Sequence, residues 1–470
     1  MSRSDIILAT LLVYGAAMLL LGLWAARRTR STDDFYLAGR RLGPVLAALS
    51  ASASSSSAWT LLGVSGAAYA WGFKAVWLFP ATVGGFVVNW LWVAPRLRRL
   101  AQANGALTLT EVLIAGHSSV WARRIARSAA LIILVSFMFY VSAQLQGAGL
   151  AFSTSLDISA DTAVAIGAVT VLIYTLLGGF WAASATDALQ GIFMAATAIF
   201  LPAFALHLAG GWGPVWASLT ESAAGGVLLT GEESLLVGAL FVLGTLGIGL
   251  GYPGQPHVVN RFMALKSDRA LAQARVMALL WAVVVYGGML LLGWAVRLLA
   301  LGPVSDSERI MLDFALEFLP TAIGAVAVTA VLSAIVSTAD SQLLVAGSAV
   351  SHDWGLPDVG GRSIAASRVI VGVLTLLALV LALGVPESIF SRVLFAWHAI
   401  GAAFGPPLLV MLLGRRTNSL ATFLAINTGF AATVILHWLP DSPGDILERG
   451  LPFVLSLGLV LLGSRRTGPA

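Results

Sequence analysis

Apolar residues in this chain do not alternate with polar ones at a strand period; they run on for about twenty residues at a time between short arginine-bearing segments. Such runs fall at roughly 5–26, 43–72, 75–95, 128–152, 162–181, 185–208, 234–254, 275–300, 320–349, 368–385, 389–413, 418–438 and 450–463. Most are long enough for a helix to cross a ~30 Å hydrocarbon layer, so the pattern predicts about 13 transmembrane helices. The short alternating strands of a membrane barrel do not occur. The expected fold class is an all-α polytopic membrane protein.

Two of the runs carry helix-breaking chemistry. The second contains "LSASASSSSAWTLLGVSG" (49–66), with serines at 50, 52 and 54–57. The seventh contains "LGIGLGYPGQPHVV" (246–259), where Pro253 and Pro256 remove backbone donors and the neighbouring glycines ease unwinding. Unwound backbone at membrane depth is tolerated only inside protein or against a watery cavity. Breaks in the second and seventh spans have the spacing of carriers built from two inverted five-helix repeats, each opening on a discontinuous helix. The repeats are expected at about 43–208 and 234–413, with extra helices at 5–26, 418–438 and 450–463, in one membrane domain over 1–470.

Composition agrees with a membrane chain: 58% of the 470 residues are hydrophobic, 10% are charged, and the mean hydropathy is +0.90. Soluble domains carry roughly 25% charged residues. The net charge of +5 and pI near 9.9 would point to nucleic acid in a soluble protein. Here most basic residues sit in alternate loops, Arg261, Lys266, Arg269 and Arg275 being read as one of them, whereas 209–233 has none. That asymmetry predicts a multi-pass protein of a bacterial-type inner (plasma) membrane, N-terminus outside and C-terminus cytoplasmic. Arg27, Arg28 and Arg30 follow the first run and no small-residue cleavage site does, so it reads as a retained span. Cysteine is absent, which excludes thiol catalysis, disulfides and thiolate metal sites. No loop is long enough for a nucleotide-binding module, and no phosphate-binding GxxxxGK[ST] occurs. No nucleophile–base pair is visible either, so neither an enzyme nor a bound cofactor is expected.

Two carboxylates fall at membrane depth, where a charge is functional unless it pairs or snorkels. Asp187, in "ASATDALQG", lies just inside the cytoplasmic end of the sixth span, where a helix-end role competes with an ion role. Asp340, in "AIVSTADSQLL", follows Ser337 and Thr338 by a turn or less. Hydroxyls, freed backbone carbonyls and a carboxylate make an oxygen-only site suited to a hard monovalent cation, sodium before any transition metal. A proton on a buried carboxylate is the alternative coupling ion. Tyr140 and Trp59 are either cavity lining or ordinary packing aromatics.

The chain resembles the sodium/solute symporter family, in its bacterial sodium/proline symporter branch. The resemblance rests on "DFYLAGRRLGP" (34–44), "LSASASSSSAWTLLGVSGAAY" (49–69), "GALTLTEVL" (105–113), "YTLLGGFWAASATDALQ" (174–190), "LGYPGQPHVVNRFMA" (250–264), "STADSQLL" (337–344) and "AWHAIGAAFGPP" (396–407), nearly the full length. It implies a LeuT-type fold of inverted five-helix repeats with two broken helices, and sodium-driven uptake of a small organic solute. Carried over position by position, it implies a sodium site of the carbonyls of Ala53, Ser56 and Ala334 with the hydroxyls of Ser337 and Thr338. Solute contacts are implied at Ser57, Ala58, Trp59, Tyr140, Tyr252 and Pro256, and an acidic coupling position at Asp187. Asp340 and Ser341 join Asp187 as a candidate second ion or coupling region.

The chain departs from the proline branch at Ser55, where the branch has aspartate, and at Ile248, where it has tryptophan. Ala58 stands for glycine, and Asp340 for an uncharged residue. An acid lost at 55 and gained at 340 would conserve charge in the ion region. The expected partners are sodium, a small solute such as proline or a related amino acid, and the lipid bilayer, with no nucleic acid. A small-carboxylate symporter, or a solute sensor working with a separate signalling partner, are the alternatives.

Overall fold

The computed structural model describes residues 2–27, 34, 37–177, 179–221, 229–231, 234–299, 306–354, 362–385 and 387–466. Arg28, Arg30, Phe35 and Tyr36, and part of the loop at 209–233, are sequence features that lie outside the described residues.

The helices are α1 (Arg3–Ala26), α2 (Pro44–Ser54), α3 (Val64–Trp71), α4 (Leu78–Val87), α5 (Ala94–Asn104), α6 (Leu109–Ile114) and α7 (Ser119–Leu156). They continue with α8 (Ala160–Leu177), α9 (Phe180–Leu208), α10 (Trp212–Glu221), α11 (Leu235–Gly247), α12 (Pro256–Met263) and α13 (Asp268–Leu299). The last are α14 (Ile310–Phe318), α15 (Thr321–Ser348), α16 (Arg362–Gly384), α17 (Ile389–Leu412), α18 (Ser419–His437) and α19 (Ile446–Leu462). Short strands β1 (Arg415–Thr417) and β2 (Ser464–Arg466) pair antiparallel beside the ends of α17 and α19. Among the described residues ten helices are long and apolar enough to cross a membrane. Shorter apolar helices fall at 44–54 and 160–176.

The expected breaks are both present. One separates α2 from the π-helical turn Trp59–Gly63 that leads into α3. The other is the 3-10 segment Ile248–Gly254 between α11 and α12. Helix also outruns the apolar stretches: α7 begins at Ser119 rather than near 128, and α4 continues through a π-helical turn into α5 at Asn104 rather than stopping near 95. Hydropathy marks where lipid ends, whereas backbone hydrogen bonds carry a helix on into water.

α15 and α17 are the most enclosed helices, buried over 83% and 94% of their apolar windows, against 11% for α1. Those two therefore form the protein's centre, while α1 faces outward from it. At the second break the backbone itself packs: a β-carbon on Gly401 would lie 2.5 Å from the Cα of Gly251, and one on Gly254 would lie 2.8 Å from the nitrogen of Gly405. No side chain larger than hydrogen fits at that crossing.

Candidate functional site

The first break is made by serine competing for backbone partners. The amides of Ser55 and Ser56 still bond back to Ala51 and Ala53, both at 3.1 Å. Ser57 then restarts the helix: its hydroxyl accepts from Trp59 N–H at 3.2 Å and its carbonyl from Thr60 N–H at 2.9 Å. Ala58 N–H donates sideways to Gln144 Oε1 on α7 at 3.0 Å, outside any helical ladder. The turn is closely fitted, since a β-carbon on Gly147 of α7 would lie 2.8 Å from the Ala58 methyl.

Across this turn stands α15. Ser337 Oγ lies 3.2 Å from the carbonyl oxygens of both Ala53 and Ala334, bringing together three of the five atoms expected to hold sodium. Thr338 Oγ1 is buried and has no hydrogen-bond partner in the structure. Ser56 belongs to the same turn, with its hydroxyl 3.3 Å from Tyr286 OH. Neutral oxygens around an unpartnered hydroxyl fit a hard monovalent cation. An orphaned buried hydroxyl carries a penalty of roughly 1–3 kcal/mol, which such an ion would remove.

The expected solute residues divide between the two breaks. Trp59 packs tilted against Phe390 at 5.5 Å and Tyr286 at 6.4 Å. Tyr252 lies edge-on to Trp397 at 4.7 Å, and Tyr140 meets the same tryptophan at 6.5 Å. Tyr286 of α13, which sequence reasoning missed, joins the halves: its hydroxyl is 3.2 Å from Tyr252 OH and 3.4 Å from Thr60 Oγ1. Pro256 opens α12, where a missing amide hydrogen costs nothing. Trp59 Nε1, Gln144 Nε2 and Gln255 Oε1 are buried without partners. The region between the breaks thus holds two unpartnered donors and an acceptor among aromatic rings, the mixture that orients a small polar molecule.

The second expected ion region holds a residue that the sequence reading had placed in a loop. Asp187 of α9 is fully buried, and its Oδ2 accepts from Ser50 Oγ at 2.7 Å, Ser54 Oγ at 3.1 Å and Arg261 Nη2 at 2.7 Å. Arg261 of α12 is 1% exposed. It also donates to Ser50 Oγ at 2.7 Å, to Ser341 Oγ at 2.6 Å and to the carbonyl of His257. Ser341 Oγ in turn donates to Asp340 Oδ1 at 3.2 Å. One guanidinium therefore donates to one carboxylate and two serines and reaches Asp340 through Ser341, tying α2, α9, α12 and α15 together. Asp187, Asp340 and Ser341 do meet, around a resident cation. In sequence its run reads as polar, which groups Arg261 with Lys266, Arg269 and Arg275 in a loop. The signal that marks it is an eight-residue amphipathic helix directly after the second break.

The opposite end is closed by a different device. Glu308 accepts the amides of Ile389 (3.0 Å) and Phe390 (2.7 Å), the first residues of α17. Burial pushes its carboxyl up to about 7, against the pull of those two amides. It thereby fixes Phe390, whose ring packs on Trp59 and, at 5.2 Å, on Trp71. Beyond Phe390 opens a cavity of ≈ 470 Å³ bounded by Trp71, Lys74, His437, Asp441 and Arg449 among others. Trp59, Tyr140 and Tyr252 are each no more than 5% exposed, so this cluster is shut off from the surface.

Residues 35–429 match the family described as "Sodium:solute symporter family". The osmoregulated proline transporter OpuE of Bacillus subtilis is 34% identical over 444 residues, covering 92% of this chain and 88% of that protein. The sodium/proline symporter of Escherichia coli K12 is 32% identical over 451 residues, covering 93% and 88%. Among solved structures, a Na+-coupled sialic acid symporter in a substrate-bound outward-open state aligns over 99% of both chains, with a TM-score of 0.78 at 16% identity. At that identity the likeness concerns the fold, which is the LeuT-type arrangement of inverted repeats with two broken helices.

Proposed function

The chain belongs to the sodium:solute symporter family, and from that premise we propose that it couples inward sodium movement to uptake of proline or a closely related amino acid. The observation that carries this reading is the meeting of Ala53 O, Ala334 O and Ser337 Oγ across the first break, beside the unpartnered Thr338 hydroxyl. Sodium there is cargo as well as fastener. Held by Ala53, Ser56, Ala334, Ser337 and Thr338, it ties the broken turn to α15 and fixes the solute chamber's floor.

The solute's carboxylate would meet donors at the turn and at Trp59, with the positive end of the restarted half-helix behind them. Its ring or aliphatic body would lie among Tyr140, Tyr252, Trp397 and Phe390. Opening toward one side requires Phe390 to leave Trp59, and opening toward the other requires the Arg261–Asp187 cluster to part. Only the chamber loaded with ion and solute passes between those states, which is alternating access. By linkage, sodium raises solute affinity by the factor with which solute raises sodium affinity.

The repeats are assigned to about 43–208 and 234–413, with the N-terminus outside and the C-terminus cytoplasmic. Asp187, Asp340 and Ser341 form a coupling region in which Arg261 already supplies one positive charge. The test is uptake into proteoliposomes under an inward sodium gradient, with labelled proline, other amino acids and small carboxylates compared. Sodium-stimulated proline uptake is expected. Equal uptake with the gradient abolished would overturn sodium coupling, and selective uptake of a carboxylate would overturn the solute assignment.

A further inference from the structure

The two strands at the end of the chain place arginine against arginine. In the antiparallel pair, Arg415 lies opposite Arg466 and Arg416 opposite Arg465. Like charges directly across a strand pair are destabilising, and the described residues supply no carboxylate to relieve them, for no ion pair involves any of the four. Helix α17, which packs on β1, and helices α18 and α7 beyond it contain no acidic residue, and the one acid of α19, Glu448, lies at the helix end far from β2. A topology signal needs basic residues in a loop, but it does not need them opposed in a rigid register.

The ribbon is rigid. Asn418 N–H donates to the Gly463 carbonyl at 2.9 Å, while the Asn418 side chain caps α18 through Ala421 N–H at 2.7 Å. A β-carbon at Gly463 would lie 2.1 Å from the Ala421 methyl, so the crossing is at contact distance. Arg415 is further fixed by donating to Ser464 Oγ at 2.8 Å, which leaves Arg416, Arg465 and Arg466 exposed.

A second basic element adjoins it. His117 Nδ1 lies 3.0 Å from Ser419 Oγ, and the rings of Trp121 and Phe423 are 6.0 Å apart. These contacts set the first turns of α7, with exposed Arg123 and Arg124, alongside the first turn of α18. The positive ends of two helix dipoles therefore add to the arginines. The apolar rim fixes the location: Leu413, Leu420 and Leu462 flank the ribbon at 62%, 51% and 88% exposure. Leucines so bare belong in hydrocarbon, which puts the ribbon at headgroup level.

We propose that the β1–β2 ribbon, with Arg123 and Arg124, is a docking site for the phosphate of an anionic phospholipid in the leaflet that the basic loops face. Guanidinium forks grip phosphate oxygens in pairs, and the lipid's tails would cover the exposed leucines. The site lies at the ends of α17, α18 and α19, away from the solute chamber, and holds whether or not the transport reading does.

The test is native mass spectrometry of the full chain taken from vesicles of equal parts phosphatidylglycerol and phosphatidylcholine. Phosphatidylglycerol should stay bound in preference. R416Q/R465Q should weaken that retention roughly 30-fold, the attraction contributed by two arginines at a membrane surface. R416K/R465K, which keeps the charge, should retain most of it, separating loss of charge from loss of fold. R96Q/R99Q, on the basic helix α5, should leave retention unchanged. Equal retention of the two lipids, an equal fall in R96Q/R99Q, or displacement of the lipid by inorganic phosphate alone would each overturn the proposal.

Discussion

Breaking the Asp187–Arg261 pair should show that it is a fastener and not a bystander. The two groups meet at 2.7 Å with side-chain exposures of 0% and 2%, so neither can turn to water when its partner is removed. Removing one partner of a buried pair costs about 3–5 kcal/mol, chiefly because the other charge is left uncompensated. Asp187→Asn leaves the guanidinium with Ser50, Ser341 and a backbone carbonyl; Arg261→Gln leaves the carboxylate with two serine hydroxyls. Each single change should therefore lower stability by that amount. The double change D187N/R261Q removes both charges of the pair, leaving Asp340 its Ser341 partner, and should cost less than the two singles summed, with a coupling of about 2–3 kcal/mol. Thermal and denaturant unfolding of purified protein in lipid nanodiscs would give the four corners of the cycle. Additive effects, or single losses below about 1 kcal/mol, would refute a buried pair holding four helices together.

Ser337→Ala and Thr338→Ala should each raise the sodium concentration for half-maximal uptake about ten-fold, the loss of one oxygen ligand worth roughly 1.4 kcal/mol. A sodium titration unchanged in both variants would remove the ion site from this position. Glu308 has its carboxyl near 7 in the folded protein against 4.5 when unfolded, so the folded state holds the extra proton between those values. Its contribution is present below about pH 4.5 and lost as pH rises to about 7, a fall of roughly 3 kcal/mol that Glu308→Gln should abolish in a stability–pH profile. Gly147→Ala should depress uptake by pressing on Ala58, whose methyl would be 2.8 Å away. Ala58→Gly in the same chain should restore it, which a general loss of folding would not allow.

The spans and both breaks were legible because lipid imposes long apolar runs and only glycine, proline or clustered serine interrupts them. Ser337 and Thr338 stand out in the sequence as neighbouring hydroxyls, but their pairing with Ala53 came from the family resemblance, and only the structure brings Ser337 to the Ala53 carbonyl. Tyr286 and Gln144 were not legible. Each is a single polar residue in a span, and nothing local distinguishes one that reaches a broken turn from one that packs. Arg261 was misassigned for a sharper reason. The rule that puts arginine in cytoplasmic loops counts charge by position, and it cannot see Asp187, 74 residues away in sequence, waiting for it. A buried partner is a tertiary fact.

The glycine crossing at the second break has a consequence for how this protein can vary. Where Gly251 meets Gly401 and Gly254 meets Gly405, backbone lies on backbone, with only the Trp397 and Phe453 rings beside it. A lineage can trade serine for threonine around the ion, or reshape the aromatic wall to suit a new solute, by single steps. It has no such steps at the crossing, because a methyl added at Gly254 or Gly401 collides with main chain and one at Gly251 with the Trp397 ring. Substrate preference can therefore be altered residue by residue around the chamber while this seam tolerates no such change.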